Sequence, residues 1–373
     1  MLPISLLPIR TSRLGPAAAL LLLALSLVGC GARSELAADL PPLADGGCSG
    51  RSSTPSVLAT FGTGIPGPSP FALAITAQAA FVELTAGGNP QSIDRVPLQG
   101  GAPLDVIAGT DACPSTSPFA GESPIVTDGA TLYMIDATLG AACQGASRRV
   151  STYDLATLTL GTVPAPAGTE GLDVNALRAT SQRGVYYLTG SELDPSTGVL
   201  ARWDGSASTV IANLPEWCWD LQIVGQRVVV IGAHALYELP IDGGVATELL
   251  PVTFAHGAAL LAANATSVFY TLEGTTILRR DVMTGATTTV ATPAQPSLTS
   301  LRTWADDDYF YFGAGSPIPS GLLRVPVGGG PIETFWSAER QIGAVTTVGC
   351  DVYWVGDTDF PNAQPPELLV APR

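Results

Sequence analysis

The chain has 373 residues, with 17 Lys and Arg against 32 Asp and Glu, and a formal charge of −15 at neutral pH. All of the basic residues are Arg, and no basic run interrupts the acidic surplus. Such a chain repels nucleic acid and anionic lipid headgroups, which excludes nucleic acid as a partner and surface charge as a means of membrane contact.

The amino end reads as an export signal. Arg10 and Arg13 precede an almost purely apolar run from Ala17 to Leu27. That run is too short to span a bilayer and no stop-transfer charges follow it, so it has the form of a signal h-region. It closes on Leu27-Val28-Gly29-Cys30, which resembles the lipobox of bacterial lipoproteins. The resemblance implies cleavage after residue 29 and lipidation of Cys30. Gly31 and Ala32 follow in place of an inner-membrane retention aspartate, which implies the outer membrane. Several acyl chains on one cysteine give lasting attachment. Removing residues 1–29 takes away two arginines and no acid, so the remainder is more acidic still. Residues 30–54 read as the lipidated cysteine and a flexible tether, mixed acid, Pro, Gly and small residues without apolar periodicity.

Residues 55–373 form the predicted domain. Short Val-, Ile-, Thr- and Tyr-rich runs alternate with Gly, Pro, Asp and Asn, the pattern of many short antiparallel strands. Aromatic or β-branched runs centre on Phe81, Tyr133, Tyr186, Val229, Phe269, Tyr311 and Tyr353. Their spacing settles to about 42, the length of a four-stranded propeller blade. Each run is followed by a third-strand end, such as Arg95-Val96-Pro97 or Arg324-Val325-Pro326, where Pro or Asp opens a turn. Small apolar stretches such as Ala72 to Ile75 suit the innermost strands. The seventh repeat stops at its third strand, and Pro55 to Phe61 resembles the missing fourth. The expectation is therefore an all-β propeller of seven blades, each of four antiparallel strands, its ring closed by an N-terminal outer strand. Six or eight blades are the alternatives.

Val352-Tyr353-Trp354-Val355-Gly356-Asp357 and Ile93-Asp94-Arg95-Val96-Pro97 resemble YWTD-type and TolB-like propeller repeats. That resemblance covers most of residues 55–373 and implies a fold, not an activity.

Meander topology sorts the loops. Second-to-third-strand and blade-to-blade connections share one face, the top; first-to-second and third-to-fourth turns lie at the bottom. Bottom turns are tight, while 109–122, 137–149, 188–199 and 355–366 read as long irregular top loops, where function usually sits. Trp217-Cys218-Trp219-Asp220 falls at the top mouth of the fourth blade. Its Trp pair offers stacking for a sugar or aromatic ligand, against inter-blade packing as the alternative. Glu122, Asp173, His256, Arg340 and Gln341 fall in the equivalent register and complete the candidate ligand set. The set mixes bases with acids, and the chain has two His only, so no metal centre and no cofactor is expected. His234 lies in a strand connection with no evident partner. Asp306-Asp307-Asp308 reads as a solvated acidic turn.

Five cysteines remain beside Cys30. Cys113 and Cys143 lie in neighbouring top loops and are paired on that ground. Cys350 sits in a bottom turn of the seventh blade, within reach of Cys48 in the tether a few residues before the closing strand, and these form the second expected disulfide. Cys218 is left as a buried thiol, with a nucleophile, or a top-face disulfide partner in place of Cys113 or Cys143, as the alternatives. The expected function is that of a monomeric, membrane-anchored binding or scaffold module for an envelope protein, peptide or glycan. The alternative is a propeller enzyme, a lyase or lactone hydrolase, with a divalent cation in the channel.

Overall fold

The structure is a computed structural model that describes residues 54–61, 68–86, 89–108, 125–136, 148–180, 184–191, 194–251, 259–271, 275–293, 296–297, 303–314, 321–337, 342–356 and 365–373. Cys30, Cys48, Cys113, Glu122, Cys143, His256, Arg340 and Gln341 lie outside them.

Every described element is a strand, and the strands form seven antiparallel sheets arranged as propeller blades. Blade 1 runs Pro68–Ile75, Ala79–Ala86, Asn89–Pro97 and Leu104–Ala108, and blade 2 runs Val126–Thr127, Thr131–Asp136, Arg149–Asp154 and Thr159–Thr162. Blade 3 comprises Asp173–Thr180, Gly184–Ser191, Asp194–Trp203 and Ser208–Leu214; blade 4 comprises Cys218–Val224, Arg227–Gly232, Ala235–Pro240 and Thr247–Pro251. Blade 5 has Ala259–Ala263, Ser267–Thr271, Ile277–Asp281 and Thr287–Ala291. In blade 6 the inner position is split between Pro296–Ser297 and Thr303–Ala305, both paired with Tyr309–Ala314, and Gly321–Pro326 and Glu333–Ser337 follow. Blade 7 has Ile342–Val348, Asp351–Gly356 and Glu367–Pro372, and its outermost strand is Ser56–Thr60.

The closing strand is thus where the repeat count put it. Ser56 lies opposite Val370 and Thr60 opposite Glu367, with a bulge after Val57. Phe61 continues the contact by donating its N–H to Pro366 O at 2.9 Å, and its ring is buried between blades 7 and 1.

The second strands are apolar on consecutive residues because both faces of each blade are covered. Tyr186 faces the cluster shared with blade 4 while Tyr187 faces that shared with blade 2. Successive strand residues point to opposite sides, so alternation becomes a continuous apolar run. Among the described residues there is one such cluster for each of the seven blade junctions. The third-to-fourth turns use glycine where no other residue fits. Gly243 has φ +104°, and a Cβ there would lie 2.7 Å from Ile211 O.

Residues 188–199 were expected to form an irregular loop, but the strands of blade 3 run on to Ser191 and restart at Asp194. The turn-forming residues close the hairpin within the ladder. Thr197 Oγ1 donates to Asp194 O at 2.7 Å and accepts from Ser191 N at 3.2 Å.

Candidate functional site

The top mouth of blades 3 and 4 is built from the crossover between them. Leu214 ends the outer strand of blade 3, and Pro215, which has no N–H, takes the chain out of the ladder. Glu216 and Trp217 then drop between the two sheets. Three glycines make the room. A Cβ on Gly198 would lie 1.9 Å from Glu216 O, one on Gly190 2.9 Å from Trp217 Cδ1, and one on Gly232 2.3 Å from Glu216 Oε1.

Glu216 is a buried carboxylate whose acceptor capacity is filled. Oε1 receives the N–H groups of His234 at 2.8 Å and Ala235 at 3.1 Å, and the Tyr237 hydroxyl at 3.1 Å. Oε2 lies 2.6 Å from His234 Nδ1. His234, expected to lack a partner, therefore has one. The hairpin of blade 4 brings it to a crossover residue 18 positions earlier, a contact no local pattern announces. Its imidazole is 79% exposed, so the carboxylate orients a ring that faces solvent on the top face.

Trp217 is buried and Trp219 half-buried, with ring centroids 5.6 Å apart at 46°. Trp217 is enclosed between the blades, while Trp219 packs against the cluster of blades 4 and 5. Cys218 is free and buried, and its thiol donates to Glu216 O at 3.5 Å. Burial first, and the Glu216 charge second, push the thiol far above its ordinary range, so it is neither a thiolate nor a nucleophile at neutral pH.

Asp220 is held by blade 3. Its Oδ1 accepts from Arg178 Nη2 at 3.1 Å and from Leu221 N at 2.7 Å, and Arg178 Nε reaches Gln222 Oε1 at 3.3 Å. Asn175 Nδ2 donates to Cys218 O at 3.4 Å. These contacts join residues 42 to 44 positions apart, which is the blade period read as bonding between neighbouring inner strands. Arg178 and Gln222 were not among the sequence candidates, although that spacing was the available signal.

Asp173 stands at the top of blade 3, and its Oδ1 accepts the backbone N–H of Arg148 of blade 2 at 2.8 Å. Beside it lies a cavity of about 240 Å³ between blades 2 and 3, bordered by Arg148, Arg149, Thr162, Glu170, Tyr187 and Thr189 among others. Reasoning along the sequence missed it because its walls come from three separated segments.

On the bottom face, the blade 6 turn is tied down. Asp306 Oδ1 receives the N–H groups of Asp308 and Tyr309 at 2.8 and 2.7 Å, and Arg373 Nη1 lies 3.2 Å from its Oδ2. The Asp306-Asp307-Asp308 turn is therefore tied by an ion pair to blade 7.

No family model matches the chain, and no curated protein sequence matches it. Solved structures do. An oligogalacturonate lyase in complex with manganese is 13% identical with a TM-score of 0.59, covering 87% of this chain and 94% of that one. An oligogalacturonate lyase from Vibrio parahaemolyticus is 11% identical with a TM-score of 0.58, over 86% of this chain and 96% of that one. The WD40 propeller domain of Doa1 is 12% identical with a TM-score of 0.51, over 85% and 96%. At these identities the likeness is one of fold.

Among the described residues, no group of three or more His, Cys, Asp or Glu side chains is arranged to hold a metal ion. The described carboxylates nearest the mouth, Asp220, Asp173 and Glu216, are engaged by Arg178, by a backbone N–H and by the His234 hairpin. Cys350 is disulfide-bonded, whereas Cys218, the other cysteine among the described residues, is free.

Proposed function

We propose that this protein is an extracytoplasmic binding propeller, anchored to the outer membrane through lipid on Cys30, whose top face receives a protein, peptide or glycan. The observation that carries the reading is the contrast between the two ends. The top has a cavity and an oriented, exposed imidazole, while the bottom turn at 306–308 is tied by hydrogen bonds and an ion pair. A rigid scaffold with its open, chemically varied surface on one end is suited to recognition. Hydrogen exchange of the full-length protein against a panel of glycans and peptides tests this. Protection is expected in segments 148–150, 162–174 and 232–235; protection confined to the bottom turns at 240–244 and 305–309 overturns it. The anchor has its own test. Cys30→Ser is expected to release the protein from the membrane fraction or leave the leader uncleaved, and unchanged fractionation refutes the lipidation.

A second reading, a propeller enzyme with a divalent cation in the channel, is favoured by the likeness to an oligogalacturonate lyase in complex with manganese. It predicts a stoichiometric metal in the purified protein and a lower melting temperature after chelation. The first reading predicts neither.

A further inference from the structure

The large apolar side chains left exposed among the described residues all stand at one end of the ring. Leu104, Leu158, Leu160, Val245, Met283 and Ile332 lie in the third-to-fourth turns of blades 1, 2, 4, 5 and 6, or in the first two residues after them. Val210 and Val57 lie near the start of the outer strands of blades 3 and 7. Single exposed apolar residues are ordinary on a protein surface, but such residues on every blade at the same end are not scatter. Leu158, Val245 and Met283, at the tips, are 65%, 86% and 81% exposed. Equivalent turns of similar blades around a ring lie in one plane across its axis, so a flat surface meets them together.

The turns of blades 2 and 5 share one design. Asp154 Oδ1 accepts from Ala156 N and Thr157 N at 2.9 and 2.7 Å, and Asp281 Oδ1 accepts from Met283 N and Thr284 N at 3.0 and 2.8 Å. The fifth residue of each donates its N–H to the first carbonyl. In blade 5 that residue is Gly285, with φ +72°; in blade 2 it is Leu158, with φ +58°. Glycine takes this left-handed conformation without cost and leucine does not. Blade 2 therefore keeps a strained backbone that presents an apolar side chain to solvent, and neither feature stabilises the fold.

The occupant follows from where the chain enters. Ser56 begins the closing strand at this same end, and residues 30–54, which read as a tether, precede it. A flexible coil of that length spans about 25–30 Å r.m.s.. Lipid on Cys30 would therefore hold the bottom rim close to the bilayer, at an effective concentration where weak apolar contacts become effective. Charge selects the kind of surface. Arg227, Arg324 and Arg373 at this end are paired with Glu238, Glu333 and Asp306, and turn N–H groups hold the carboxyls of Asp154, Asp204 and Asp281 below their ordinary range. Ionised carboxylates on the rim are repelled by anionic headgroups.

We propose that the bottom rim seats on the zwitterionic surface of a lipid bilayer, with Leu104, Leu158, Leu160, Val245, Met283 and Ile332 among the headgroups and the top face pointing away from the membrane. The choice of occupant rests on the lipid anchor at Cys30. Apolar side chains at the headgroup boundary supply the contact.

Met283 is its own reporter, because a thioether exposed to peroxide is oxidised to the sulfoxide. Met134, partly buried against the cluster of blades 1 and 2, is the internal control. The full-length protein is oxidised in phosphatidylcholine vesicles beside the double variant Leu158→Asn, Val245→Ser, which leaves Met283 intact. Asn accepts a positive φ more readily than Leu, and both sites are exposed, so the variant is expected to melt with the wild type. Met283 is expected to oxidise at least threefold more slowly in the wild type than in the variant, with Met134 equal in both. Equal Met283 rates overturn the proposal. Protection that grows with the number of protein molecules per vesicle also overturns it, in favour of a second copy of the chain. Stronger protection in phosphatidylglycerol vesicles that salt abolishes overturns it as well, because the contact would then be electrostatic. The mass of the peptide that carries Cys30 tests the anchor separately. An unmodified Cys30 with Met283 protected by added vesicles removes the anchor and keeps the rim; an acylated Cys30 with equal Met283 rates removes the rim and keeps the anchor.

Discussion

Asp173 Oδ1 accepts the backbone N–H of Arg148 at 2.8 Å, and Arg148 O accepts Val174 N in return. This reciprocal pair joins the inner strand of blade 3 to the third strand of blade 2 beside the cavity. Asp173→Ala removes a charged acceptor and is expected to cost about 1–2 kcal/mol, the lower part of the range for such bonds because Asp173 is half-buried. Asp173→Asn keeps an acceptor oxygen and should retain most of that stability. Urea unfolding of the two variants decides the point; equal stability of Ala and Asn variants would speak against the bond.

At the blade 3–4 crossover, Glu216 fills the space left by Gly232. Gly232→Ala brings a Cβ to 2.3 Å from Glu216 Oε1 and is expected to destabilise by about 1–3 kcal/mol through overpacking. Combining it with Glu216→Ala should cost less than the sum of the two single changes, since the clash disappears with the side chain. Strict additivity in the double-mutant cycle would mean that the two do not touch.

Glu83 shares a face of its strand with Phe81, toward blade 2, and burial pushes its carboxyl from 4.5 to about 8. The folded state then holds a proton that the unfolded chain has released. Stability from this proton is complete below about 4.5 and is lost as pH rises toward 8. Glu83→Gln should flatten the fall in stability between pH 5 and pH 8 that the wild type displays. Denaturant melts at the two pH values measure it, and parallel pH dependence of both proteins would contradict the shift.

Ring closure makes a strong claim on stability. Phe61→Ala empties a fully buried site between blades 7 and 1 and is expected to cost about 3–5 kcal/mol. Deleting Pro55 to Phe61 also exposes the edge of Glu367–Pro372, and the loss should approach the 5–15 kcal/mol that holds a typical domain together. A deletion variant melting at the wild-type temperature would mean that the pairing contributes little.

Cys350 stands in the turn between Ile342–Val348 and Asp351–Gly356, on the bottom face, where the closing strand also begins. We expect its disulfide partner to be Cys48, with Cys113 joined to Cys143. Peptide mapping without reductant should recover those two linked pairs and an unmodified Cys218 peptide. A Cys113–Cys350 peptide would refute the pairing.

Much of the ring was legible because burial on both faces leaves a periodic trace. Val228 to Ile231 and Phe310 to Phe312 are apolar at every position for that reason, and Pro97, Pro240 and Pro326 end third strands where a turn must open. The single strand at one end of the repeat and the three-strand blade at the other gave away the closing strand. The site was less legible. Glu216 and His234 meet only once a hairpin folds beside a crossover, and Arg178 meets Asp220 only when two sheets are in register. The cavity draws on residues from Arg148 to Thr189 and has no motif. Turn formers at Asp194, Thr197 and Gly198 imitated a loop inside a continuous hairpin. Cys113 and Cys143, with Glu122, His256, Arg340 and Gln341, fall outside the described residues.

The pairing of Ser56–Thr60 with Glu367–Pro372 also sets an order of events during synthesis. The strand that seals the ring leaves the ribosome before any blade exists, and its partner emerges after the other blades. Until then the growing sheet array is a crescent with two open edges, and the earliest strand must remain unpaired for nearly the whole length of the domain. Contacts so distant in sequence slow folding and prolong exposure to aggregation. A variant that weakens Glu367–Pro372 would therefore reduce the yield of folded protein more than its equilibrium stability suggests, because it lengthens the life of the crescent.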